Sequence, residues 1–216
     1  MKDFNFTGYF TTPIYTSYIP EWVDKYNKLS NKYITQSKKM FGKEIKKRNK
    51  DLKKDIGDFG VSYHSTSLIN DKDFEQLKVY VTNSARKILD HMGYDLTNYY
   101  IKWNEMWVQE FGKKGGGHHE GHIHYNQHIS GFYFLKCSDR TSKPIFHDPR
   151  IAKLMSDLPQ KKEENITFSS SKINIRPKPG TLILFPAFLE HEFLIDLGID
   201  PFRFIHFNLQ AVQNDA

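Results

Sequence analysis

From Tyr99 to Val212 the chain is a succession of short apolar runs separated by turn residues, and that pattern narrows the folds open to it. "YYIKWNEMWVQEF" (Tyr99 to Phe111) alternates apolar and polar residues, which predicts a strand with Ile101, Trp103, Glu105, Trp107 and Gln109 on one side. "HISGFYFLKC" and "KPIFHDP" are nearly continuous apolar runs. "KINIRPKPG" alternates and ends on a Pro-Gly turn signal, and "TLILFPAF", "HEFLIDL" and "FRFIHFNLQAV" follow closely. Seven or eight short strands with short connections suit a sandwich or jelly roll. The polar stretch Ala152 to Ser171 reads as the one long loop.

The first part of the chain has a different period. "GYFTTPIYTSYI" (Gly8 to Ile19) reads as extended, and residues from about Glu21 to Ile56 have helical composition. Asn70 or Asp71 can cap a second helix, in which Phe74, Leu77, Val81, Ala85 and Leu89 form one buried stripe and Gly93 is the stop. The expected architecture is α+β, mostly β, as a single domain over 1–216. An N-terminal helical and extended support region (1–97) packs on a core that spans 98–212.

Composition excludes several functions. Cys137 is the single cysteine, so neither an intrachain disulfide nor a Cys-based zinc site can form. It reads as a small buried hydrophobe. No apolar run approaches the length of a membrane span, and the expectation is a cytoplasmic protein (the host cytoplasm if phage-encoded) with no membrane partner. The formal charge of +6 comes largely from "KEIKKRNKDLKK" (Lys43 to Lys54), where Glu44 and Asp51 interrupt the lysines as on a solvated helix. A nucleic-acid partner is therefore weakly supported.

The chemistry concentrates in "GHIHYNQHISGFYFL" (Gly121 to Leu135). On a strand, His122 and His124 project to the same side and can converge on one ion. His191, just past the turn after "GTLILFPAFLE", is the best third ligand. Nitrogen and oxygen ligands with open positions favour Fe(II) among redox metals. Arg203 lies within an apolar strand, where a guanidinium needs an anion, and its fork suits the carboxylate of an acidic cosubstrate. Other registers remain open: a pair that uses Asn126 or His128, or His118 with Glu120. His64, His91 and His206 read as core-edge or surface residues, His147 as a structural hydrogen-bonding residue, and Asp148 with Arg150 as a turn and ion pair.

Taken in order, "HIH…SGFYFL", "FHDPR", "PGTLILFPAFLEH" and "R…FN" resemble the 2-oxoglutarate and Fe(II)-dependent oxygenases, in the branch of largely uncharacterised members from bacteria and phages. The resemblance runs from about Trp103 to Val212. It implies a double-stranded β-helix (a jelly-roll, cupin-like core), with Fe(II) and 2-oxoglutarate as cofactors and O2 as co-reactant. It implies a probable hydroxylase whose primary substrate is unknown. His122, His124 and His191 take the metal positions, and Arg203 pairs with the far carboxylate of 2-oxoglutarate. Tyr133 is placed to bond that same carboxylate, and Asn208, which matches the late "FN", is counted with them as a cofactor-binding residue. The sequence departs from the superfamily's common His-x-Asp or His-x-Glu by having His124 in the second place. Two other classes stay open on sequence: a 2-oxoglutarate-independent three-histidine dioxygenase, and a non-enzymatic jelly-roll binding or structural protein.

Overall fold

The computed structural model describes residues 7–156 and 158–214. Among these residues two α-helices and ten strands alternate unevenly: β1 (Tyr15–Tyr18), α1 (Val23–Asp51), β2 (Ser62–His64), α2 (Glu75–His91) and β3 (Tyr99–Phe111) come first. β4 (His119–His122), β5 (Ile129–Lys136), β6 (Pro144–His147), β7 (Lys172–Asn174), β8 (Thr181–Pro186), β9 (His191–Phe193) and β10 (Arg203–Gln213) follow. The strands build a six-stranded sheet in the order β1-β8-β5-β10-β3-β2 and a four-stranded sheet in the order β4-β9-β6-β7, with every described pairing antiparallel. Strands after β3 switch between the two sheets, which is the jelly-roll pattern of a double-stranded β-helix. Seven or eight strands were expected from Tyr99 onward, and eight are present among the described residues.

The large sheet has two buried faces, and strand parity sorts the side chains between them. On β10, Ile205, Phe207 and Leu209 join Leu77, Val81 and Ala85 of α2 and Tyr26 and Ile34 of α1 in the helix-side core. Phe204 points the other way, into a phenylalanine-rich core between the sheets with Phe132, Phe134, Phe185 and Phe193. Burial of each such side chain contributes about 1.5–3 kcal/mol, so the helices are held by the outer face and the barrel by the inner one. Gly131 keeps β5 flat in this packing: a Cβ there would lie 2.5 Å from the Phe207 ring and 2.6 Å from the Ile183 carbonyl oxygen.

The helical expectations hold closely. The Asp71 carboxylate accepts from Asp73 N at 2.9 Å, capping the short 3₁₀ turn that leads into α2. Phe74, Leu77, Val81, Ala85 and Leu89 are buried, and Gly93, just past the helix, takes a φ of 91°. The extended reading of Gly8 to Ile19 shortens to the four residues of β1, which pair with β8.

Two orientations differ from the sequence reading. On β3 the expected common face breaks at Asn104, because the register with β10 shifts between Asn208↔Glu105 and Leu209↔Trp103. This β-bulge turns Ile101 and Trp103 to the helix side and leaves Glu105, Trp107 and Gln109 on the interior face. Further on, β4 ends at His122, so His124 lies beyond the strand rather than on it. Its backbone N–H donates to the Ala187 carbonyl at 3.0 Å, which brings it back beside His122.

Candidate metal centre

β4, the turn after it and β9 bring three imidazoles to one point. His122 pairs with His191 across the β4–β9 ladder, and their ring centroids are 4.4 Å apart. His124 lies 4.9 Å from the His122 ring and 5.1 Å from the His191 ring. One ring nitrogen from each falls within 4.8 Å of the others. The second nitrogens are tied back to the chain: His122 Nδ1 to Glu120 O at 2.7 Å and His191 Nδ1 to Leu189 O at 3.0 Å. A carbonyl can only accept, so each Nδ1 carries the proton and each Nε2 is left with a lone pair. Nε2 of His124 and of His191 are buried and have no hydrogen-bond partner. Buried polar atoms are rarely left unpaired, and lone pairs aimed at one another fit a cation. Burial, and secondarily the neighbouring imidazoles, pushes the pKa of His191 down to about 3. Burial and His122 push that of His124 to about 4. Both rings are therefore neutral at pH 7, as metal ligands must be.

A second trio, Glu105, His124 and His206, also has ligand atoms within 4.8 Å. Its centre is already filled. The Asn208 side-chain nitrogen donates to Glu105 Oε2, and lies 3.1 Å from His124 Nδ1 and 3.2 Å from His206 Nε2. Asn208 Oδ1 accepts from Ser130 Oγ at 2.6 Å, deep in the barrel. Asn208 thus occupies the place a metal would need, and it fixes the rings beside it.

The other registers do not assemble. Asn126 sits at φ 57°, and the His128 ring is turned to the end of β10, where it accepts from Ala211 N at 3.0 Å. His118 bonds to Gly116 O at 3.1 Å, and neither it nor Glu120 belongs to a metal-competent group among the described residues.

The structure turns two of the expected cosubstrate contacts away from the histidines. Arg203 is an odd-numbered β10 residue and faces the helices, not the histidines. Its guanidinium bonds Glu110 at 2.5–2.7 Å and Asn31 Oδ1 of α1 at 2.8 Å, and Lys38 of α1 completes the cluster on Glu110. The anion it needs is this carboxylate. Tyr133 faces the same way on β5, and its hydroxyl donates to Ile19 O at 2.6 Å. Burial pushes its pKa up to a value above the usual phenol range. Asn208, in contrast, does point to the site.

His206 was read as a core-edge or surface residue. It is buried, and its ring lies 4.3 Å from Trp107 and 5.1 Å from both His124 and Phe132. The signal was its parity with Asn208, two residues along one strand. His64 and His119 stack at 5.6 Å at the edge of the same histidine group. His147 bonds Glu192 at 3.2 Å, and Arg150 grips Asp148 through two nitrogens at 2.9 and 2.7 Å, as the sequence suggested. Cys137 is half-buried beside the interior core, and burial pushes its pKa up to about 12.

Comparison with known proteins bears on this arrangement. Residues 105–198, which contain all three histidines, match the family described as "Putative 2OG-Fe(II) oxygenase". No curated protein sequence matches the chain. Solved structures share the fold at low identity. A prolyl-4-hydroxylase of Pseudomonas putida aligns over 92% of this chain and 93% of its own, at 10% identity and TM-score 0.51. SnoN, a non-haem α-ketoglutarate-dependent epimerase of nogalamycin biosynthesis, aligns over 94% and 79%, at 8% identity and TM-score 0.55. A prolyl hydroxylase of Trichoplax adhaerens, in complex with a hypoxia-inducible-factor peptide, aligns over 92% and 84%, at 11% identity and TM-score 0.50.

The fold is that of the double-stranded β-helix oxygenases. Over the matched segment the protein is similar to the 2-oxoglutarate and Fe(II)-dependent oxygenases, enzymes with Fe(II) and 2-oxoglutarate as cofactors, and its own histidine trio could hold a metal ion. A 2-oxoglutarate-independent dioxygenase is not favoured by that match. Among the described residues no helix is long and apolar enough to cross a membrane.

Proposed function

We infer that the protein is a hydroxylase in which His122, His124 and His191 hold Fe(II) through Nε2. The observation that carries the ligand set is the pair of buried, unpartnered Nε2 atoms of His124 and His191, set against His122. Three protein ligands would leave open positions on the ion for small molecules. When bound, the iron and 2-oxoglutarate supply a two-electron oxidation: 2-oxoglutarate and O2 become succinate, carbon dioxide and one hydroxyl oxygen on the substrate. The chain's own part is to orient and to exclude water. Leu189 and Glu120 carbonyls fix two rings, the backbone bond from His124 N to Ala187 O sets the third, and Phe132, Phe146 and Phe185 wall the His191 side.

We place the primary substrate in a cavity beside this site. The cavity, of about 580 Å³, lies between residues 9–14 and the long loop, and two of its walls, Phe146 and Leu189, also touch His191. Its apolar lining favours an apolar group on the substrate. The support region 1–97 buttresses the catalytic core through α1, and the Lys- and Asn-rich composition suits a phage or an AT-rich genome.

The test is anaerobic addition of 2-oxoglutarate to Fe(II)-loaded protein, read by the visible charge-transfer band of a chelated keto acid, with His191→Ala alongside. The expected result is a band in wild type and loss of bound iron in the variant. Full iron binding by the variant would overturn the ligand set.

A further inference from the structure

With Arg203 and Tyr133 turned to the helices, the polar groups on the interior face of β10 and β5 near the histidines are His206, Asn208 and Ser130. Ser130 and Asn208 satisfy each other, and Asn208 gives its remaining hydrogens to its neighbours. Nδ1 of His206 has no partner, although the residue is 3% exposed.

The protonation pattern follows from the contacts. Iron at His124 Nε2 requires the proton of that ring on Nδ1, so this nitrogen cannot accept from Asn208. The Asn208 amide has two hydrogens. One goes to Glu105 and the other is left for His206 Nε2, at 3.2 Å. A neutral ring that accepts at Nε2 carries its proton at Nδ1. The result is a buried N–H donor without an acceptor, one ring away from the metal ligand His124. Leaving such a group unpaired is costly, and a ligand oxygen would satisfy it.

We propose that His206 Nδ1–H donates to a carboxylate oxygen of iron-bound 2-oxoglutarate, so that His206, not Arg203, is the β10 side chain that meets the cosubstrate. The ring is held for this by Asn208 on one nitrogen and by the Trp107 and Phe132 rings on its faces. The neighbourhood is dry, which strengthens a hydrogen bond to an anion. The inference rests on the reading of His122, His124 and His191 as the iron ligands.

The experiment uses full-length Fe(II) protein without oxygen, with iron content measured first and 2-oxoglutarate then titrated by calorimetry and by the charge-transfer band. His206→Phe keeps the ring and removes the donor. It should bind iron as wild type does, weaken 2-oxoglutarate roughly tenfold or more and shift the band. His206→Gln, which retains an N–H, should recover part of the affinity, and Arg203→Lys should leave it unchanged. An affinity within twofold of wild type in iron-loaded His206→Phe would overturn the proposal, as would a selective loss in Arg203→Lys.

A readout on the unmutated protein covers the case in which the variant does not fold. In Zn(II)-loaded, ¹⁵N-histidine-labelled wild type, the His206 signals should show a proton on Nδ1 that moves downfield on saturation with 2-oxoglutarate. A proton on Nε2, or no movement at saturation, would overturn it. Failure of wild type to bind 2-oxoglutarate with metal in place would instead sink the cofactor reading together with this inference; failure to bind metal would sink the ligand set.

Discussion

The two faces of β10 solve opposite problems with neighbouring residues. Its odd-numbered face meets α1 and α2, and there the polar side chains of the strands are matched: Arg203 by Glu110 and Asn31, and Tyr133 on the adjoining strand by the Ile19 carbonyl, while the hydroxyls of Tyr26, Ser30 and Ser37 on α1 are buried without a partner. Its even-numbered face meets the histidines, and there buried nitrogens of His124, His191 and His206 remain without partners. A satisfied buried polar group is structural, and an unsatisfied one needs a reason. For the side chains of the strands the contrast separates a helix-docking cluster around Arg203 from the nitrogens that face the metal centre, although both lie within one strand's width.

The largest effect that tests this contrast is on metal binding. His191→Ala should lower Fe(II) or Co(II) affinity by more than about 100-fold, since even outer partners of metal ligands cost 10–100-fold. Thermal stability of the metal-free protein should fall as well, because the lost ring leaves a cavity among Phe132, Phe146 and Phe185 and deprives the Leu189 carbonyl of its donor. A metal titration paired with a melting curve reads both. Affinity close to wild type would dissolve the distinction between the faces.

Arg203→Ala should act on stability alone. It strips the Glu110 carboxylate of its buried partner, which costs about 3–5 kcal/mol when one member of such a pair is lost. Lys38 still reaches Glu110, so the lower end is expected. Denaturant unfolding measures the loss, and metal affinity should stay near that of wild type. A variant of full stability that fails to bind metal would show that Arg203 serves the site after all.

Much of this was legible in the sequence, for physical reasons that also mark its limits. Strand period and turn residues showed β3 to its ends, because a half-buried strand must alternate. The clustering of His122, His124 and His191 followed from residue type and order. What failed was facing. Arg203 and Asn208 are five residues apart on one regular strand, so they cannot point the same way, yet both were assigned to the cosubstrate. The bulge at Asn104 left no mark in the apolar pattern, since Trp103 and Trp107 are large aromatics on either face. Nor does any local signal tell that a buried arginine will meet Glu110 from a strand more than ninety residues earlier.

The acid response of the helix-side cluster sharpens the comparison further. Burial alone would raise the Glu110 pKa, but the hydrogen bond from Lys38 and the charge of Arg203 outweigh it and hold it below the usual value. A carboxylate depressed in the folded state adds stability that is complete above its unfolded pKa, near 4.3, and is lost as the pH falls through the lower folded value. Wild type should therefore lose stability below about pH 4.3, and Glu110→Gln should lose less over the same interval. Urea midpoints from pH 7 to pH 3 read the difference. An equal acid dependence in both proteins would mean that Glu110 is not held by this cluster.

The smallest effect concerns Tyr133, and it discriminates most cleanly between the two faces. Tyr133→Phe keeps the ring in the helix-side core and removes one buried hydroxyl. The Ile19 carbonyl loses its donor, a cost of about 1 kcal/mol, or roughly 2–4 °C in Tm for a chain of this size. If the hydroxyl met 2-oxoglutarate, the same change would weaken the cosubstrate and shift its charge-transfer band. The orientation of β5 puts Phe132 and Phe134 inward and Tyr133 outward, with the hydroxyl 2.6 Å from Ile19 O. Unchanged affinity for 2-oxoglutarate with a slightly lower Tm is thus the expected pair of results. The opposite pair would require β5 to turn over by one residue, which would also exchange Phe132 and Phe134 for Tyr133 and Leu135 in the interior core.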